Sequence, residues 1–184
     1  MVVNRRTVIK QFLFVSAGVA ILPACLQEDN SKSSLLLKNI QISGQQEKNL
    51  AELAETIIPA TATPGAKAIS AHLFMLKMID DCHTKEEQQR FIKGMELFGK
   101  TVQAKYNRPF HQCTKEEKNT MVAGINGKKD LAPELSFFYN TAKKLTIQAY
   151  TSSQFYLTKL QVYKMVPGKF EGCVPLKNDL SKTS

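Results

Sequence analysis

Residues 84–106 read TKEEQQRFIKGMELFGKTVQAKY. Thr84 with Glu87 three positions on is a capping box: each side chain satisfies a free backbone N–H at a helix start. Phe91, Met95, Phe98 and Val102 then recur at the spacing of one helical face, with Ile92 alongside. Asn107-Arg108-Pro109 ends the pattern. A long amphipathic helix to about Tyr106 follows, and its apolar stripe needs other helices to cover it.

The same signals recur on both sides. Ser43 with Gln46 opens a helix carrying Leu50, Leu53, Ala54, Ile57 and Ile58, and Pro59 stops it. Thr61–Ala66 is a loop rich in turn residues. Ile69, Leu73, Leu76 and Ile79 predict a second helix from Lys67 to Asp81. Thr114 with Glu117 caps a short helix containing Met121, Val122 and Ile125, and Asn126–Lys129 reads as a turn. Pro133 suits the first turn of a helix with Leu135, Phe138, Ala142, Leu145 and Ala149. That helix is expected to continue, after a kink at Thr151-Ser152-Ser153, towards Tyr163. The stretch Val166–Pro175 is nonhelical. With no repeat and no alternation of strands and helices, the fold class is all-α: a small irregular bundle of about five helices with a nonhelical C-terminal tail.

The chain begins MVVNRRTVIKQFLFVSAGVAILPAC. Its apolar run, Phe12–Leu22, is eleven residues, too short for the ~20 of a spanning helix. Basic residues before it and small residues after it describe an export signal. Asn4-Arg5-Arg6-Thr7-Val8-Ile9-Lys10 resembles a twin-arginine motif, with Arg5 and Arg6 as its pair. Leu22-Pro23-Ala24-Cys25 resembles a bacterial lipobox, in which the cysteine is acylated and becomes the new N-terminus. The expected organisation is signal 1–24, tether 25–42, helical domain 43–176 and polar tail 177–184. Leu35–Leu37, Ile40 and Ile42 are read as an extended segment packing on the domain.

The chain carries +9, and without Arg5, Arg6 and Lys10 it carries 22 basic against 16 acidic residues, net +6. The lysines are scattered, among them Lys85, Lys93, Lys100 and Lys115. No nucleic-acid stripe or motif emerges. Attraction to anionic headgroups or to an acidic partner stays open. Besides Cys25, the cysteines are Cys82, Cys113 and Cys173. Outside the cytoplasm thiols tend to pair, and Cys82 with Cys113 is the favoured pair because each stands beside a helix start. Cys173 is then free or bonded to another chain. A Cys/His metal cluster using His83 and His111 is the competing reading.

His72 reads as a core-edge histidine with a satisfied ring. Asp80 and Asp81 read as turn capping and solvated charge. No phosphate loop, dinucleotide motif or nucleophile elbow is present, so neither catalytic residues nor a cofactor is assigned to the chain. Phe137, Phe138, Tyr139, Tyr150, Phe155, Tyr156 and Tyr163 crowd the last third, either as core or as anchors for a partner.

Three stretches together resemble the gluconate 2-dehydrogenase subunit 3 family. They are Ile57–Ala66 (IIPATATPGA), Lys144-Leu145-Thr146 with Tyr150, Ser152 and Ser153, and Tyr163 with VPGKFEGCVP at 166–175. Ala62, Ala149 and Gln154 stand where the family has Asp, Gly and Glu. The resemblance implies a small, cofactor-free subunit of a membrane-associated dehydrogenase of the sugar, alcohol or gluconate type. Its large subunit holds FAD, and a multihaem cytochrome c often takes the electrons. It also implies that Pro64, Gly65, Tyr150, Tyr163, Pro167, Gly168 and Phe170 face the partner. The twin-arginine translocase carries folded cargo, so one export signal would serve both subunits. A stand-alone lipid-anchored binding or scaffold protein is the alternative.

Overall fold

A computed structural model describes residues 33–127, 131–161 and 168. Among these, five α-helices follow in order: α1 Gly44–Ile57, α2 Ala71–Cys82, α3 Lys85–Tyr106, α4 Lys115–Gly127 and α5 Pro133–Thr151. A single 3₁₀ turn, Phe110–Gln112, links α3 to α4, and a π-helix, Tyr156–Leu160, follows α5. The fold is all-α.

All three capping boxes form. Ser43 Oγ accepts from Gln46 N at 3.2 Å while Gln46 Oε1 accepts from Ser43 N at 2.8 Å. Thr84 with Glu87 and Thr114 with Glu117 repeat the device. Asn107, at φ 53°, closes α3 in the left-handed conformation, its N–H donating to Gln103 O at 2.9 Å. Asparagine tolerates that conformation better than most residues.

The core lies where α3 meets α5. Gln88, Phe91, Gly94, Met95, Phe98 and Val102 are the buried side of α3. The Phe138 ring of α5 sits 5.0 Å from Phe91 and 5.6 Å from Phe98, and Phe110 closes on Phe98 at 4.9 Å. These tilted and edge contacts suit the aromatic quadrupole. Gly94 lets the two helices approach, because a Cβ there would land on the Glu134 carbonyl and on Phe138 Cβ. α1 lays Leu50 and Leu53 on the same core. Most of the clustered aromatics are therefore packed: Phe138, Tyr139 and Tyr150 are buried, and Phe137, Phe155 and Tyr156 are half-buried.

Three boundaries differ from expectation. α2 starts at Ala71, not Lys67; residues 67–70 make a turn ending with Ser70 at φ 57°. Ser70 in the left-handed conformation interrupts right-handed coiling, so the helix begins only after it. Asn126 and Gly127 belong to α4 rather than to a turn, and Asn126 Nδ2 donates to Tyr139 OH at 2.9 Å, fixing the end of α4 on α5. After Thr151, Ser153 accepts from Tyr156 N at 3.2 Å and starts a short π-helix in place of a continued α5.

The expected pairing of Cys82 with Cys113 is not made: both thiols are free. Cys82 is exposed at the end of α2, whereas Cys113 is buried among core side chains and its Sγ donates to Pro109 O. Burial raises the Cys113 pKa, with Glu117 adding to the effect, so it behaves as a small apolar core residue.

Candidate functional site

Pro59 ends α1 and begins the loop that carries the first of the three sequence motifs. The loop is clamped by one carboxylate from the helix it leaves. Glu55 Oε1 accepts from Ala60 N and its Oε2 from Lys67 N, both at 2.9 Å. The N–H of Ala66 returns to Ile58 O at 2.9 Å, and Thr61 N donates to Thr63 O at 2.9 Å. Gly65 is buried inside this clamp, where a Cβ would collide with the Glu55 carboxylate and with Ala60 N.

The second motif comes from α5 and locks the loop from its buried side. Tyr150, in the last turn of α5, donates its hydroxyl to Pro64 O at 3.1 Å and approaches Thr63 Oγ1 at 3.3 Å. Its ring meets Tyr156 edge-on, 6.2 Å between centroids. Beneath the loop, Ala54, Ala66, Ala71 and Ala149 form a separate buried cluster with Ile58, Ile69 and Phe74 around it. Alanines at these positions let α1, α2 and α5 converge on the loop. Ala149 occupies a buried site and Ala62 an exposed one. Pro59, Ala60, Thr61 and Ala62 form the exposed rim.

Two expected interface residues thus face inward. Gly65 and Tyr150 are buried by the protein's own loop, and Pro64 is half-buried; they shape the rim rather than present themselves on it. Gly168 is exposed at φ 58°. Tyr163, Pro167, Phe170, Cys173, Arg5, Arg6 and Cys25 lie outside the described residues.

Polar side chains brace the rest. Glu52 of α1 pairs with Lys67 at 2.5 Å and with Lys118 of α4 at 2.7 Å. Burial would raise its pKa, but the two lysines hold it below the ordinary value. Asn49 Oδ1 accepts from His111 N at 3.0 Å and meets its ring at 2.9 Å. His83 meets Glu87 at 3.2 Å. His72 Nδ1 is buried with no hydrogen-bond partner, contrary to the satisfied ring expected. Burial lowers its pKa against the pull of Glu47, with Lys67 lowering it further. The histidines and cysteines expected to group do not: among the described residues, no three His, Cys, Asp or Glu side chains gather to hold a metal ion. No described helix is long and apolar enough to cross a membrane.

Two polar residues with large structural roles, Asp80 and Gln88, carry a signal in the sequence itself. Asp80 stands one turn after Leu76 and Gln88 one turn before Phe91, each on the buried stripe of its helix. A polar residue on an apolar stripe demands a partner. Gln88 Nε2 supplies the carbonyls of Ile79, Asp80 and His83 at 2.9–3.2 Å, closing the C-terminus of α2 from the next helix. Glu55 gives no comparable signal, because its partners are backbone groups of the following loop.

A family model described as gluconate 2-dehydrogenase subunit 3 matches residues 44–168, from the first residue of α1 past the π-helix. No curated protein and no solved structure matches the chain.

Proposed function

The chain belongs to the gluconate 2-dehydrogenase subunit 3 family, and on that premise we propose that it is the small, non-catalytic subunit of a periplasmic, membrane-associated dehydrogenase. The large subunit holds FAD and chooses a sugar, alcohol or gluconate-type substrate. This chain assists its folding, carries it through the twin-arginine translocase on Arg5 and Arg6, and keeps it at the membrane through acylated Cys25.

The observation that carries the proposal is the family match over nearly all of the described helical domain. The loop geometry is in keeping with it. A loop fixed by Glu55, Gly65 and Tyr150 is ordered before any partner arrives, and a preordered surface loses little conformational freedom on binding. Thr61 and Ala62 sit at its exposed rim, where a second protein can reach them.

Affinity capture of the full chain from its native membrane tests the proposal. A flavin-containing polypeptide should co-purify with it. Arg5→Lys with Arg6→Lys should leave both proteins in the cytoplasm. Recovery without a flavoprotein favours a stand-alone lipoprotein, and periplasmic delivery of the flavin subunit beside the double variant removes the carrier role.

A further inference from the structure

The segment before α1 is fastened to the domain from Ser33 onward. Glu47 accepts from Ser33 Oγ and from Ser34 N at 2.7 Å, and from Ser34 Oγ at 2.5 Å. Asp80, at the far end of α2, accepts from the N–H groups of Lys38 at 2.8 Å, Asn39 at 2.7 Å and Ile40 at 3.0 Å. Asn39 Nδ2 returns a bond to Asp80 O at 2.8 Å. Ile40 is buried. Residues 33–42 are therefore a strap bound at two points, not free tether.

Between the two points the strap holds Leu36 out in solvent, 93% exposed. Leu35, Leu36 and Leu37 line a hollow that shares Ile40 and Gln41 with a second, larger one between the strap and α3. That second hollow is lined by Lys38, Lys85 and Lys93, with Glu96 as the acid among them. All three lysines are exposed, and none forms an ion pair among the described residues. The two adjoining hollows thus bring together an exposed leucine and three exposed lysines that have no ion-pair partner among the described residues.

We propose that this strap face lies on an anionic lipid surface, with Leu36 entering the headgroup–acyl boundary and Lys38, Lys85 and Lys93 meeting lipid phosphates. The occupant follows from chain length, which rests on acylation of Cys25 as proposed above. From Cys25 to Ser33 is eight residues, a reach of at most ~28 Å at full extension, so the strap cannot leave the vicinity of the bilayer. Lysines close to an anionic leaflet each contribute roughly 1 kcal/mol, and an exposed apolar side chain gains by entering the interface. The rim at Thr61–Ala62 is left free. Ala71 packs beside that loop's alanine cluster and Asp80 beneath the strap, nine helical residues or ~14 Å apart.

The chain contains no tryptophan, so Leu36→Trp and Ile147→Trp each introduce a single reporter; Ile147 is exposed on α5, the helix that ends at the loop. Both are made in the full chain carrying Cys25→Ser, which excludes any acyl contribution and leaves the N-terminal apolar run common to both. Vesicles of phosphatidylcholine with brominated phosphatidylglycerol should shift the L36W emission to shorter wavelength and quench it. I147W should be little affected. Lys38→Glu, Lys85→Glu and Lys93→Glu together should weaken the L36W response at least about tenfold, with the helical circular dichroism unchanged. Equal quenching at both positions, or a response at position 36 indifferent to the three reversals, overturns the proposal. Incorporation of labelled fatty acid at Cys25 in cells is scored separately, so failure of the lipid anchor is distinguishable from failure of the contact face.

Discussion

The strap at 33–42 and the loop at 58–67 are both irregular, and both are held by carboxylates accepting backbone N–H groups. They differ in where the carboxylate comes from. Glu55 binds the loop that immediately follows its own helix, so this clamp is local. Asp80 binds a segment some forty positions away, so its clamp exists only once α2 has docked. The difference separates two kinds of order. A local clamp persists while its helix persists; a distant one reports the assembled bundle.

Asp80→Ala should break the comparison most. It removes the ionised acceptor of three N–H groups, one of them on buried Ile40. Hydrogen bonds to a charged group are each worth ~1.5–3 kcal/mol, so a loss of about 3 kcal/mol in urea unfolding is expected. Early protease cleavage within 33–42 should accompany it, with flavoprotein capture retained.

Gly65→Ala attacks the local clamp. The added methyl meets the Glu55 carboxylate, which can swing away only by releasing the loop, and Ala60 N, which cannot move without it. A cost of about 1–3 kcal/mol is expected, together with loss of flavoprotein capture that Asp80→Ala does not show. Tyr150→Phe sharpens the contrast. It deletes the bond to Pro64 O and keeps the ring, so about 1 kcal/mol is expected, with weaker capture and an intact strap.

The smallest effect is acid sensitivity, and it should fall mainly on the strap. For Asp80, burial raises the pKa, but the N–H groups of Lys38, Asn39 and Ile40 and the nearby Lys77 bring it below the ordinary value. Glu47 behaves alike through Ser34 and Ser33, with His72 contributing. A carboxyl with a depressed folded-state pKa binds its proton first in the unfolded chain. Its stabilisation is complete above the unfolded value of ~4 and is lost as pH falls through the folded one. Asp80→Asn should therefore flatten the fall in melting temperature below about pH 4.

Much of the fold was legible in short stretches. Ser43/Gln46, Thr84/Glu87 and Thr114/Glu117 gave helix starts because a capping box is closed within four residues and needs nothing from elsewhere. The stripe Phe91–Met95–Phe98–Val102 gave the buried side of α3 because helical geometry sets it. The start of α2 was misplaced because Ser70 takes the left-handed conformation, which apolar periodicity does not register. The Cys82–Cys113 pairing failed because nearness to a helix start does not bring two thiols together; one side chain faces solvent and the other the core. At the candidate site the motif positions were legible, but their directions were not. Tyr150 and Gly65 turned out to hold the rim from within.

The sequence alone determined what neighbouring residues can settle: the all-α class, the capped helix starts, the apolar stripe of α3 and membership of the family. Only the tertiary structure decided that Asp80 pins the strap, that Gln88 closes α2, and that the loop and the end of α5 lock together. Each of those depends on a hydrogen-bonding group whose partner is remote in the chain or off the helical pattern. Periodicity records which side chains avoid water; it does not record which backbone group a buried carboxylate or amide will find.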